Sequence, residues 1–392
     1  VYEFFCILPA WRRPSQQKGP VGPDMRRSLG SARRLLVARR LHTRHEPGAI
    51  SMDTAVLEYA VDEEAGVLDI QHTRTPPEMR GQGVAEKLCD AAFEHARGAS
   101  LRVLPSCSYV SDRYLPKHSE AQGIAVRSVD SATPGLCICV SWLGVASLRL
   151  VDARRRNPLT AALLAKLQSF LGACAAMEGT HGGPLPEVRT LLLESTGPVF
   201  SSGHDFNDFH EAPAAEQRRV LEMCADVNAL LAEVPQVSVA AVSGACVAGG
   251  AQLAASCDLV IARDDARFCL PGVRTGGFCH TPAVAVGARV APRKALELAL
   301  LASDVDAVEA ERIGLANSVV PSAEWASAVE QTVNQLARTF SKSVADGKRT
   351  FYRQAAAPAL RDRYAVATDT MVDMFSSPAY QESMTAFLRR KE

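Results

Sequence analysis

Hydrophobic and polar positions change rhythm several times along the chain, and each change marks an element. Residues 55–61 (Ala-Val-Leu-Glu-Tyr-Ala-Val) and 67–73 (Val-Leu-Asp-Ile-Gln-His-Thr) alternate as half-buried strands do, and Glu63, Glu64, Ala65 and Gly66 supply the turn between them. A hairpin is predicted. Pro76 and Pro77 stop that pattern; after Arg80-Gly81-Gln82-Gly83 the apolar positions Val84, Leu88, Ala91 and Ala92 take up helical spacing, with Glu86 and Asp90 on the wet side.

Residues 119–135 mix small, polar and breaker residues without a period, as an interdomain tether does. Downstream, strand-like runs at 136–142, 146–151, 188–193, 237–242 and 259–262 alternate with helical ones at 159–177, 214–234 and 293–302, the pattern of an α/β core. Beyond about residue 323 only helical segments follow, at 323–340, 343–355 and 361–375. The expected organisation is a disordered segment over 1–50, a small α+β domain over 51–120, a linker over 121–135, and an α/β domain over 136–392 that ends in a helical extension.

Composition narrows the partners. At 392 residues two or three folded units are expected, and 47% apolar residues support sizeable cores. A formal charge of zero does not recommend nucleic acid or an anionic membrane as principal partner and favours a small ligand, so no nucleic acid is expected. The 11 cysteines show no paired zinc-ligand spacing, and Cys137 and Cys139 sit too close for a usual metal pair, so no metal is expected and the thiols read as reduced, in an intracellular compartment. No apolar stretch is long enough to span a bilayer, which predicts a soluble protein with no transmembrane segment. From Met25 onward Arg26, Arg27, Arg33, Arg34, Arg39, Arg40 and Arg44 alternate with leucines and no acid, which reads as a mitochondrial transit segment or a basic tail. Met25 is a natural start, which would make residues 1–24 a gene-model artefact.

Two glycine-rich places could present backbone N–H groups to an anion. The first combines Gly244-Ala245-Cys246-Val247-Ala248-Gly249-Gly250 with Phe200-Ser201-Ser202-Gly203-His204-Asp205 and suits a thioester carbonyl becoming an enolate; the second, Arg80-Gly81-Gln82-Gly83-Val84-Ala85, suits a pyrophosphate at a helix N-terminus. Both point to coenzyme A.

Together with Pro105-Ser106-Cys107-Ser108-Tyr109-Val110, the second loop resembles short members of the GNAT acetyltransferase superfamily. The resemblance implies that Arg80, Gly81, Gly83 and Ala85 hold the acetyl-CoA pyrophosphate and that Cys107 lies near the acetyl group. A thiolate there could carry acetyl, whereas the plain alternative for Cys107 is a small buried hydrophobe. His72 is a base or an ordinary strand residue.

The larger half is similar to the crotonase, or enoyl-CoA hydratase/isomerase, superfamily. The likeness rests on Arg156-Asn157-Pro158-Leu159-Thr160, on residues 197–205, on 243–255, on Cys257-Asp258-Leu259 and on Gly314-Leu315-Ala316. It implies a ββα spiral core, with C-terminal helices packing on neighbouring subunits in a homotrimer or homohexamer. The backbone amides of His204 and Gly249 would form an oxyanion hole, with the His204 ring only lining the pocket and the dipole of a helix over 251–256 adding to it. Arg156 and Lys348 would meet the CoA phosphates. Acetyl-CoA and acyl-CoA would be ligands or substrates, with no permanently bound cofactor.

One departure matters most. At the positions of the superfamily's two catalytic glutamates stand Gln252 and Gly272, neither of which moves a proton at neutral pH. Orthodox hydration is therefore not expected, although mitochondrial fatty acyl-CoA metabolism is. Three readings stay open: another base such as Asp205, Asp208 or His280 serves; water at Gln252 serves thioester hydrolysis or decarboxylation; or the domain is a retired CoA-thioester binder or scaffold. Acetyl transfer by the first domain also remains open.

Overall fold

Alternation at the start of the folded chain produces a hairpin, Val56–Asp62 against Val67–Arg74, antiparallel with one bulge between Glu58 and Tyr59. Its inward residues Leu57, Leu68 and Ile70 meet Leu88, Ala92 and Phe93 of the helix Val84–Gly98. Each leucine, isoleucine or phenylalanine among them contributes about 1.5–3 kcal/mol on leaving water. A third strand, Arg102–Leu104, joins parallel to Val67–Arg74. The computed structural model describes residues 55–63, 65–176 and 188–389, all within one compact unit. The expected arginine-rich segment over 1–50 lies outside the described residues.

The expected linker needs correction. Within 121–135, Val126–Asp130 is a strand that pairs antiparallel with Leu136–Ser141. Immediately before it, a parallel bridge joins Val103 to Ala125, and the Val103 amide donates to the Ile124 carbonyl at 2.9 Å. The two parts are thus stitched through backbone hydrogen bonds rather than tethered. Isolated apolar residues in a polar stretch concealed this strand, because Ile124, Ala125 and Val126 are buried while Arg127 and Ser128 face outward.

The junction has its own small core, Ala65, Val67, Val126, Cys137 and Cys139. Beside it Glu194 pairs with Arg149 at 2.9 Å and with Arg102 at 3.8 Å, and accepts a hydrogen bond from Ser147. Burial alone would push the Glu194 carboxyl up, but Arg149, then Arg102, and the Ser147 and Arg149 hydrogen bonds outweigh it and bring it down to about 2.

The main sheet has seven strands, in the order Ser318–Val320, Leu259–Arg263, Val237–Val242, Thr190–Ser195, Val145–Leu150, Leu136–Ser141, Val126–Asp130. It is parallel from Ser318–Val320 to Val145–Leu150 and antiparallel at the other edge. A second sheet orders Val305–Asp306, Arg267–Cys269, Ala245–Val247 and Val199–Ser201. Its strands are two or three residues long, too short for any period to announce them. Helices Ala161–Ala175 and Ala214–Glu233 share the large core with both sheets, completing the expected α/β architecture.

Four helices close the chain: Trp325–Thr339, Lys342–Ala356, Leu360–Ser376 and, unexpected from sequence, Pro378–Arg389. The first buries Val329, Val333 and Ala337 against Val145, Leu192, Val239 and Ile261 of the main sheet. No residue of the last two is buried, and Leu360, Tyr364, Met371, Val372, Phe387 and Leu388 stand exposed on them. No helix of the described residues is long and apolar enough to cross a membrane.

Candidate functional site

The helix Gly249–Ser256 begins where the strand Ala245–Val247 ends, through Ala248 at φ 48° and ψ −114°. A side chain in that left-handed region is strained, and such residues persist where the surroundings over-determine them. Glycines let the neighbouring loop press in. A Cβ on Gly250 would lie 2.7 Å from the Ser201 carbonyl oxygen, and one on Gly203, whose φ is 88°, would lie 2.9 Å from the Gly249 amide nitrogen. The His204 ring also lies against the entrance, its Cδ2 being 3.4 Å from where a Gly249 Cβ would sit. Residues 203–204 therefore lie directly against the helix entrance. The Gln252 amide closes the first helical hydrogen bond, to Ala248 at 3.0 Å, and the amide of Gly249 in the first turn has no intrahelical acceptor.

Two side chains beside this entrance carry buried polar atoms with no protein partner: both ring nitrogens of His204, and Oε1 of Gln252, a residue only 4% exposed. Gln252 lies three residues beyond Gly249 and so shares its helix face. Burial pushes the His204 imidazole below its ordinary value, against an opposing pull from Asp208, and Phe209 meets the ring edge-on at 5.5 Å. Burial thus favours the neutral ring.

Gly272, where the second glutamate was expected, is closed to any side chain. Gly272 lies in the turn Pro271–Thr275, where a Cβ would come 2.7 Å from the Cys279 nitrogen and 2.8 Å from the Phe278 carbonyl carbon. The three candidate bases are otherwise engaged or exposed. Asp205 pairs with Arg155 and accepts from the Asn207 amide at 3.1 Å; Asp208 accepts from the Ala161 amide at 2.8 Å, at the start of a helix. His280 is exposed, in ring contact with Phe278.

Lys348 is a correction. Expected at the CoA phosphates, its side chain is 7% exposed and pairs with Asp258 at 2.8 Å while donating to the carbonyls of Leu231 and Gln236. Burial pulls its ammonium below its ordinary value, with Asp258 opposing. Tyr352 donates to the same carboxylate at 2.8 Å, and Arg289 donates to the Ala255 and Cys257 carbonyls at the end of the helix Gly249–Ser256. This lattice fixes the helix from behind. The signal for it was the lysine's half-apolar helix; the periodicity of a helix does not say which neighbour it will meet. Arg156, by contrast, is exposed, and its carbonyl accepts from the Ser202 amide at 3.0 Å, beside the Gly203 loop. Asn157, whose motif was noted without a role, is buried and donates to the Thr196 and Val199 carbonyls, shaping the approach to that loop.

In the N-terminal part, Gly81 and Gly83 adopt φ of 77° and 73° at the entrance of Val84–Gly98, with open space where a Cβ would be. Arg80 is exposed and donates to the Thr75 carbonyl at 3.3 Å, while Ala85 sits in the helix's first turn. Cys107 is buried, its sulfur 3.6 Å from the Thr73 hydroxyl and near Cys89, whose thiol burial pushes up to about 12. Cys89 is six residues along from Gly83, roughly 9 Å at helical rise. His72 is exposed on its strand, opposite Glu58. An open cleft of about 690 Å³ between this part and the helix Trp325–Thr339 is lined by Arg97, Glu120, Glu330, Asn334 and Arg338. Among the described residues no three or more His, Cys, Asp or Glu converge as a metal site, and every cysteine is a buried free thiol.

Comparison with known proteins agrees with both halves. The family model described as enoyl-CoA hydratase/isomerase matches residues 143–392, and that described as GCN5-related N-acetyl-transferase matches residues 48–124. Enoyl-CoA hydratase domain-containing protein 3, mitochondrial, of Mus musculus is 35% identical over 251 residues, 64% of this chain and 80% of that protein; the Homo sapiens counterpart is 34% identical over the same shares. Among solved structures, human enoyl-CoA hydratase domain-containing protein 3 aligns with a TM-score of 0.58 at 31% identity, covering 67% of this chain and 97% of that one. An enoyl-CoA hydratase of Mycobacterium smegmatis gives 0.61 at 32% identity, covering 66% and 97%. With a family model spanning well over half its length and these neighbours covered almost end to end, this chain belongs to the enoyl-CoA hydratase/isomerase family.

Proposed function

We propose that the C-terminal part binds a coenzyme A thioester and polarises its carbonyl between the backbone amides of His204 and Gly249. The observation that carries this reading is the close approach of residues 203–204 to the first turn of Gly249–Ser256, which no side chain at 203 or 250 would allow. Two preset donors at a helix entrance favour negative charge on the thioester oxygen, and loss of one such donor typically costs about 2.7–4 kcal/mol of transition-state stabilisation. Relatives that carry the hydratase name, and the family itself, support a CoA thioester as ligand.

Hydration is not the reaction we assign. Gln252 does not exchange a proton, and the backbone of Phe278 and Cys279 fills the space a side chain at Gly272 would need. Arg156, exposed beside the Gly203 loop, is the proposed contact for the CoA phosphates; Lys348 no longer is. The N-terminal part holds acetyl-CoA pyrophosphate at Arg80, Gly81, Gly83 and Ala85, with Cys107 near the acetyl group. We place the protein in mitochondrial acyl-CoA metabolism, a location supported by the mitochondrial relatives. It works as a trimer or a dimer of trimers, for which the exposed apolar residues of Leu360–Ser376 and Pro378–Arg389 provide surface.

The engagement of Asp205 and Asp208 in structural contacts favours a second reading, a CoA-thioester binder that does not turn over. A thermal-shift screen of CoA thioesters, with turnover measured on the same samples, separates the two. Stabilisation by thioesters but not by free acids supports the site; no stabilisation by any thioester contradicts it.

A further inference from the structure

Polar atoms buried without partners are uncommon, and three of them belong to two side chains at the entrance of the helix Gly249–Ser256: Nδ1 and Nε2 of His204 and Oε1 of Gln252. The His204 ring lies against Gly249, and Gln252 stands on the same helix face one turn on. Neither can satisfy the other fully. A neutral imidazole has one nitrogen that accepts and one that donates, while the amide oxygen only accepts. The group that answers both acceptors is a small donor with two protons.

We infer that His204 and Gln252 hold a water molecule against the thioester, with the His204 imidazole as the base that takes its proton, so that the reaction is hydrolysis of a CoA thioester. The inference rests on the thioester-binding reading above. One water proton points to Gln252 Oε1 and the other to the accepting nitrogen of His204, which leaves an oxygen lone pair for the thioester carbon. As the C–O bond forms, the proton passes to the ring, and the carbonyl electron pair moves onto oxygen, held by the amides of His204 and Gly249. Collapse of that intermediate breaks the C–S bond, and the imidazolium returns its proton to the coenzyme A sulfur. The products are a carboxylic acid and a free thiol, the ring ends neutral, and no further reactant is needed. Burial, which favours the neutral imidazole, leaves the ring able to accept a proton. Neither Asp205 nor Asp208 competes for it, since the first is held by Arg155 and Asn207 and the second by the Ala161 amide.

The test uses the full chain with acetyl-, butyryl- and octanoyl-CoA, following free coenzyme A by chromatography and, in ¹⁸O-water, one heavy oxygen entering the released acid. The expected result is release of coenzyme A from at least one thioester. His204→Ala keeps the backbone amide and is expected to lower release about 100-fold or more while thermal stabilisation by the thioester persists. His204→Gln, which retains bulk, serves if the alanine variant does not fold, and Gln252→Ala should lower kcat with little change in KM. Binding without release by the wild type, release unaffected by either His204 substitution, or conversion of an enoyl-CoA to its hydroxyacyl-CoA would overturn the inference and leave the binding site standing. Absence of thioester binding would overturn the site and the inference together.

Discussion

Lys348 and Asp258 form a buried ion pair, 2.8 Å long, between the helix Lys342–Ala356 and the turn that follows the helix Gly249–Ser256. Asp258 also accepts from the Ser238 amide at 2.7 Å and from Tyr352, so its carboxylate is surrounded by donors. A charge so placed is costly to strand. Lys348→Met should therefore destabilise the protein by about 3–5 kcal/mol, because it leaves an uncompensated carboxylate. Denaturant unfolding measures this, and Lys348→Met with Asp258→Asn should recover part of the loss. Equal stability of Lys348→Met and wild type would refute the pairing.

The Glu194 cluster gives a pH dependence with a defined sign. The folded-state carboxyl is depressed to about 2, so its contribution is full above the unfolded value and is lost as pH falls towards 2. That contribution is on the order of 3 kcal/mol. Stability measured between pH 5 and pH 2 should fall more steeply in the wild type than in Glu194→Gln, which itself should be weaker at pH 7 because Arg149 loses its partner. Parallel curves would contradict this.

Restoring glutamates should not restore a hydratase. Gln252→Glu is nearly isosteric and should fold, with the buried carboxyl pushed up by desolvation. Gly272→Glu meets backbone at Cys279 and Phe278 and should cost several kcal/mol or prevent folding. Crotonyl-CoA hydration followed by absorbance should stay feeble in wild type and in Gln252→Glu. Turnover at rates typical of hydratases in the wild type would overturn the assignment.

Assembly is checked by light scattering. From a chain of 42.0 kDa the expected mass is three or six times that of the protomer. Charge placed on the exposed helical residues, as in Tyr364→Asp with Met371→Asp, should dissociate it without unfolding. A monomeric wild type would contradict the proposed trimer.

In the N-terminal part, Cys107→Ala should abolish acetyl transfer if the thiol carries the acetyl group. Its burial beside Thr73 and Cys89 instead favours the small-hydrophobe alternative, for which transfer is undiminished. Acetyl-CoA consumption by both proteins decides between them.

How legible each feature was depended on whether its cause is local. The hairpin, the helix Val84–Gly98 and the long helices of the core follow from periodicity, and the helix over 251–256 began where glycines place it, at Gly249. The strand Val126–Asp130 was hidden because its partner, Leu136–Ser141, and the bridge at Val103 are tertiary facts. Lys348 was misread for the same reason: a basic side chain on a helix is ordinarily solvated, and only the fold brings Asp258 to it. That Gln252 and Gly272 carry no carboxylate was plain in the sequence. The sealed space at Gly272 and the unpartnered His204 ring were not, because each depends on segments distant in the chain.

Polarisation of the thioester is read most simply from the carbonyl frequency of a ¹³C-labelled acyl-CoA, free and bound, by infrared difference spectroscopy. The expected result is a shift to lower frequency on binding, kept in Gly249→Ala, which retains the N–H and brings its Cβ no closer than 3.3 Å to a neighbour, and lost in Gly249→Pro, which removes the donor. An unshifted carbonyl in the bound wild type, or an equal shift in the proline variant, would contradict polarisation by the amides of His204 and Gly249.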